Sequence, residues 1–177
     1  MEDFKTGYAV VLLSKTGKKS YVLSYIKGSF LCSFFMAFAA LAFDFILVHI
    51  VFAGGAYSPY SPSEYDSSWL LFQYDHASIA NIVFMFITSI VISLMAVFCT
   101  MTALVIRNRK IVYGINVILW LVFVLKKNSV VLLFQPFSEY SLKTLLLIGT
   151  GCTACYLLSV IILYMLEVYR KDEISLA

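Results

Sequence analysis

The chain has 177 residues, of which 62% are hydrophobic and 13% charged, with a net charge of +3 and a mean hydropathy of +0.91. Soluble domains are about 45–50% apolar and about 25% charged, and one core cannot bury so much apolar surface at this length. Composition therefore excludes a cytosolic enzyme, a nucleic-acid binder and a disordered tail, and predicts an all-α integral membrane protein.

A crossing helix needs about 20 mostly apolar residues, because about 30 Å of hydrocarbon is traversed at about 1.5 Å per residue. Residues 1–28 precede the first such run and read as a cytoplasmic N-terminal segment. Within it, Tyr8-Ala9-Val10-Val11 fits a tyrosine-x-x-bulky pattern, which makes Tyr8 and Val11 a candidate sorting signal. Lys15, Lys18, Lys19 and Lys27 are expected to draw this segment to anionic lipid at about 1 kcal/mol each.

Four spans are expected in a transmembrane domain of residues 29–169, at 29–53, 78–106, 111–134 and 144–169, followed by a short cytoplasmic tail, 170–177. The third is the ambiguous one. Residues 111–125 are clean but short, and full length is reached only through Lys126 and Lys127 to Phe134. The longer version is expected because Val130-Val131-Leu132-Leu133-Phe134 resumes the apolar run at once.

Ten of the thirteen Lys and Arg residues fall in the N-terminal segment, the turn holding Arg107, Arg109 and Lys110, and the tail. Residues 54–77 hold none. The excess of positive charge on one side predicts that both termini are cytoplasmic. Small residues at helical spacing (Ser33, Ala37, Ala40 and Asp44; Ser89, Ser93, Ala96, Thr100 and Ala103; Gly151, Cys155 and Ser159) predict close packing into a four-helix bundle. The third span presents a bulkier polar face of Tyr113, Asn116, Trp120 and Lys127.

Asp44 is the most informative residue. An acid near mid-span costs about 2.5–3.5 kcal/mol on insertion scales, and Asp44 lies roughly 22 Å along from Ser29. Lys126 and Lys127 lie roughly 22–24 Å along from Ile111. Equal height predicts a contact between Asp44 and Lys127, with Lys126 reaching toward the outer headgroups. Asn116 and His49 complete the expected intramembrane polar cluster. Such a cluster either specifies packing or marks a proton or cation path.

Cys152-Thr153-Ala154-Cys155 has the spacing of dithiol redox sites, which makes a membrane dithiol oxidoreductase the third functional reading. All four cysteines lie in apolar runs, and no second pair stands in an outer loop to relay electrons. The first outer loop carries Tyr57, Tyr60, Tyr65, Trp69 and Tyr74, candidate partner contacts that also suit a membrane-interface belt. No nucleotide loop or metal-ligand pattern is present, so no cofactor, metal or nucleic acid is expected.

The cytoplasmic ends, moderate first outer loop, tight basic turn at 107–110 and short second outer loop at 135–143 resemble the lysosome-associated four-span membrane proteins. The likeness is architectural and covers residues 25–170. It departs where that family has a long tail with Pro-Pro-x-Tyr elements and cysteines in its outer loops. It implies sorting or accessory roles, in an endosomal, lysosomal or plasma membrane, without chemistry. Claudins and tetraspanins are set aside by their missing loop signatures. The leading expectation is a non-enzymatic accessory or adaptor protein that binds a larger membrane protein. The alternative is a small homo-oligomeric proton or cation transporter using Asp44 and Lys127.

Overall fold

In a computed structural model the described residues are 11, 14–53, 68–106, 108–137 and 140–169. They form helices and, among them, no strand. The order is α1 (Lys18–Val51), α2 (Ser68–Asp75), α3 (Ala77–Ile106), α4 (Arg109–Leu125), a short 3-10 helix (Val130–Phe134) and α5 (Leu142–Tyr169). α1, α3 and α5 are long and apolar enough to cross a membrane.

α1 starts well inside the segment expected to precede the first span. Gly17 stands just before it at φ 76, a left-handed conformation that glycine adopts without steric cost. Tyr21 and Val22 are buried in the core directly after it, so tertiary packing rather than apolar length sets this helix end.

The third expected span is corrected most. α4 is 17 residues long and ends at Leu125, and the helix does not run on to Phe134. Lys126 is extended, at φ −66 and ψ 151. Ser129 accepts a hydrogen bond from the Val131 amide at 3.1 Å and opens the 3-10 helix. The run Lys126-Lys127-Asn128-Ser129 favours this break, because short polar side chains satisfy backbone groups locally and compete with helix continuation. A second difference is α2, which lies where a loop was expected. The His76 amide bonds to the Phe72 carbonyl and the Ala80 amide to the His76 carbonyl, so hydrogen bonding carries across the junction into α3.

α3 is the central element and packs against α1, α4, α5 and the 3-10 helix. The hydroxyls of Ser89, Ser93 and Thr102 are satisfied within the helix. Ser89 donates to the Met85 carbonyl at 2.7 Å, Ser93 to Ser89 at 2.6 Å and Thr102 to Cys99 at 2.9 Å. Polar atoms can therefore sit at an apolar interface with no unsatisfied donor. Two side-chain bonds also join α3 to its neighbours: Ser29 with Thr100 at 2.9 Å, and Asn116 Nδ2 to Thr102 Oγ1 at 3.0 Å. In apolar surroundings such bonds contribute about 0.6 kcal/mol on average and about 1.7 at most. Asn116→Val is accordingly expected to lower stability by about that amount in thermal unfolding in detergent, with the helical circular-dichroism signal retained.

The burial of the expected faces differs in two places. On α1, Ser33 and Ala37 are half-buried, whereas Ala40 and Asp44 are exposed. On α4 the inward face is Val112, Asn116, Leu119 and Phe123, while Tyr113 and Trp120 point away. Glu167 is buried among α5's inward-facing residues.

Candidate functional site

Between the C-terminal half of α1 and the N-terminal half of α3 the two helices leave a cleft of about 260 Å³. Farther in, they are closed together by rings, with Phe38 and Phe86 centroids 4.8 Å apart, and by the bond from Ser29 to Thr100. α1 lines the cleft with Leu41, Asp44, Phe45, Val48 and His49, and α3 with Asn81, Phe84, Met85 and Thr88. Both sets follow the three- and four-residue spacing that places side chains on one helix face. Phe134 and Pro136, at the end of the 3-10 helix, close one side. The break in the third expected span therefore supplies part of the wall.

The polar atoms of this cleft are mostly acceptors. Among the described residues no cation or hydrogen-bond donor is paired with the Asp44 carboxylate. His49 Nδ1 lies 2.8 Å from the Phe45 carbonyl. A carbonyl cannot donate, so this nitrogen carries the proton and a neutral ring leaves Nε2 as an acceptor. Asn81 Nδ2 donates to the Ala77 carbonyl at 3.0 Å, which leaves Oδ1 available. A larger groove of about 580 Å³ between α3, α5 and the 3-10 helix, floored by Phe84, Leu133 and Gly149, is almost wholly apolar and suits hydrocarbon.

Of the expected polar cluster, the structure brings Asp44 and His49 together and adds Asn81 and Thr88, which the sequence reading did not single out. Their signal was present: Asn81, Phe84, Met85 and Thr88 repeat on one helical face with an amide toward the start of α3. Asn116 lies elsewhere, on Thr102. Lys126 Nζ sits 5.9 Å from the Phe123 ring centroid, folded back along α4. Lys127 is exposed in the break, and among the described residues no ion pair joins it to Asp44. The physical reason is that Asp44 faces the cleft between α1 and α3, whereas both lysines have left the helix.

Trp69 packs against the core with its indole nitrogen enclosed. The Tyr74 ring lies 5.4 Å from that of Phe137. Tyr57, Tyr60, Tyr65 and Tyr8 lie outside the described residues, and Val11, the other end of the sorting pattern, is exposed. Cys152 is buried and Cys155 half-buried on α5, both as free thiols. Among the described residues no group of three or more His, Cys, Asp or Glu side chains converges as a metal site requires.

No family model and no solved structure matches the chain. It is 34% identical over 148 residues to the uncharacterized protein YybM of Bacillus subtilis (strain 168), a match taking in 82% of this chain and 59% of that protein. The chain thus spans less than two thirds of the length of this relative. The relative is bacterial and lends no support to the likeness to lysosome-associated proteins.

Proposed function

We propose that the chain is a non-enzymatic, multi-pass membrane subunit that binds another membrane protein and assists its assembly, trafficking or gating. The observation that carries this reading is α4 and the break after it. At 17 residues the helix is about 25 Å long, short of the roughly 30 Å of hydrocarbon. Only a narrow face of it is covered, and Lys126, Lys127 and Asn128 are exposed and non-helical. Non-helical backbone at membrane depth is tolerated only where protein or a water-filled cavity covers it. If the break sits instead at headgroup level, the shortened helix is mismatched to the bilayer, and association with other helices is one of its remedies. Either placement favours a partner against α4.

The basic inner segments support both termini being cytoplasmic, with α4 completing a four-helix membrane bundle. The bacterial relative supports a plasma membrane over an endosome or lysosome. A photocrosslinking residue at Tyr113 on α4 is expected to capture a larger membrane protein that co-purifies in mild detergent, while one at Leu158 on α5 captures none. Purification as a lone species with no crosslink at Tyr113 overturns the reading. A second reading, cation passage through a homo-oligomer, draws on the carboxylate and imidazole sharing one cleft, and predicts cation flux in liposomes that Asp44→Asn abolishes.

A further inference from the structure

The cleft between α1 and α3 has a chemical preference that follows from its lining and is independent of whether α4 docks a partner. The geometry points to a binding site for a small organic cation bearing a primary ammonium group. Asp44 supplies a carboxylate with no cation of its own among the described residues. Asn81 Oδ1 is a further acceptor, because its Nδ2 already donates to the Ala77 carbonyl, and in the neutral ring whose Nδ1 donates to the Phe45 carbonyl His49 Nε2 is another. An ammonium group has three donors and no acceptor, so it matches these acceptors, and its charge complements the Asp44 carboxylate where an anionic ligand is repelled. The remaining wall includes the Phe45, Phe84 and Phe134 rings, whose faces attract a cation within about 6 Å. An apolar wall also lowers the local dielectric, which strengthens the attraction to Asp44. The cleft's volume of about 260 Å³ fits a small aryl or alkyl amine. Its position between two crossing helices, roughly 8 Å below the outer hydrocarbon boundary for a first span starting at Ser29, lets such a ligand enter from the outer leaflet.

The same group is carried by a free amine and by the headgroup of phosphatidylethanolamine, and the experiment separates them. Full-length protein in phosphatidylcholine nanodiscs is titrated with tritiated phenethylammonium by scintillation proximity. Saturable binding is expected, displaced by unlabelled amine and not by propylbenzene, its neutral isostere. Asp44→Asn is expected to weaken it roughly tenfold to a hundredfold, as loss of a charge-assisted bond implies. Asn81→Leu is expected to weaken it roughly twofold to tenfold. Both variants are compared at unchanged thermal unfolding midpoints. If adding phosphatidylethanolamine to the disc suppresses the signal, the headgroup is the occupant; if it does not, a free amine is. No saturable binding by folded wild-type protein overturns the assignment. So does equal affinity for the amine and propylbenzene, or an Asp44→Asn variant that binds as wild type.

Discussion

Ser93→Leu is expected to lower the thermal unfolding midpoint by roughly 2–12 °C in detergent, and Ser93→Ala to leave it nearly unchanged. Ser93 is 0% exposed, as is Ser89 one turn before it, and both lie on the stripe of α3 that runs from Phe86 to Thr100. Its hydroxyl is turned onto the Ser89 carbonyl, so it makes no bond across to another helix. The value of serine here is its size: it lets backbones approach where dispersion contacts and lipid exclusion hold helices together. Alanine preserves that approach and loses one self-satisfied bond. Leucine adds a branched side chain where no free volume exists, and overpacking of this kind costs about 1–3 kcal/mol. For a chain of this size each kcal/mol moves the midpoint by about 2–4 °C. A leucine variant that unfolds with wild type would show that the small residues are incidental to helix packing.

Legibility of this fold in its sequence depended on which physical quantity each inference used. Length and apolarity suffice for α1, α3 and α5, because a long apolar run has few alternatives to a helix. α4 failed at its far end because the resumed apolar run at Val130 outweighed a local signal. Ser129 caps a new helical turn, and the Lys126-Lys127-Asn128-Ser129 run was readable as a stop followed by a start. α2 was hidden by its aromatics: Trp69 and Tyr74 fit an interface belt, yet its inward positions Leu70 and Gln73 are spaced one helical turn apart. The contact expected between Asp44 and Lys127 rested on height along two helix axes. Height says nothing about azimuth, and an azimuth offset of one residue is about 100° on a helix. Asp44 shares the face of Ser33 and Ala37 but opens onto the cleft between α1 and α3, while Lys127 lies beyond the end of α4. Asp44 and His49, singled out as polar residues in an apolar run, line one cleft. Asn81 and Thr88 were legible only as members of α3 until the cleft wall placed them opposite α1.

Replacing Gln73 with leucine is expected to loosen the packing of α2 against the segment before α5, at a cost of about 1–3 kcal/mol. Gln73 is a polar side chain with 0% exposure, and its Oε1 accepts the Phe137 amide at 2.8 Å. That bond ties α2 to the segment leading into α5, and the ring contact between Tyr74 and Phe137 lies beside it. Phe137 has φ 60, a left-handed conformation disfavoured by about 1–2 kcal/mol for a residue with a Cβ, so its geometry depends on what surrounds it. Leucine fills the space left by the glutamine but leaves the half-buried Phe137 N–H without its acceptor, and the desolvation cost of that group is then uncompensated. Phe134 and Pro136, which wall the cleft, sit immediately before Phe137 and are expected to lose definition with it. Hydrogen–deuterium exchange checks this directly: the Phe137 amide and its neighbours should exchange faster in Gln73→Leu, with the middle of α3 unchanged. Gln73→Glu keeps an acceptor at the same position and should restore much of the protection. Equal exchange at Phe137 in wild type and Gln73→Leu would mean that the 3-10 helix and α5 hold the segment without α2.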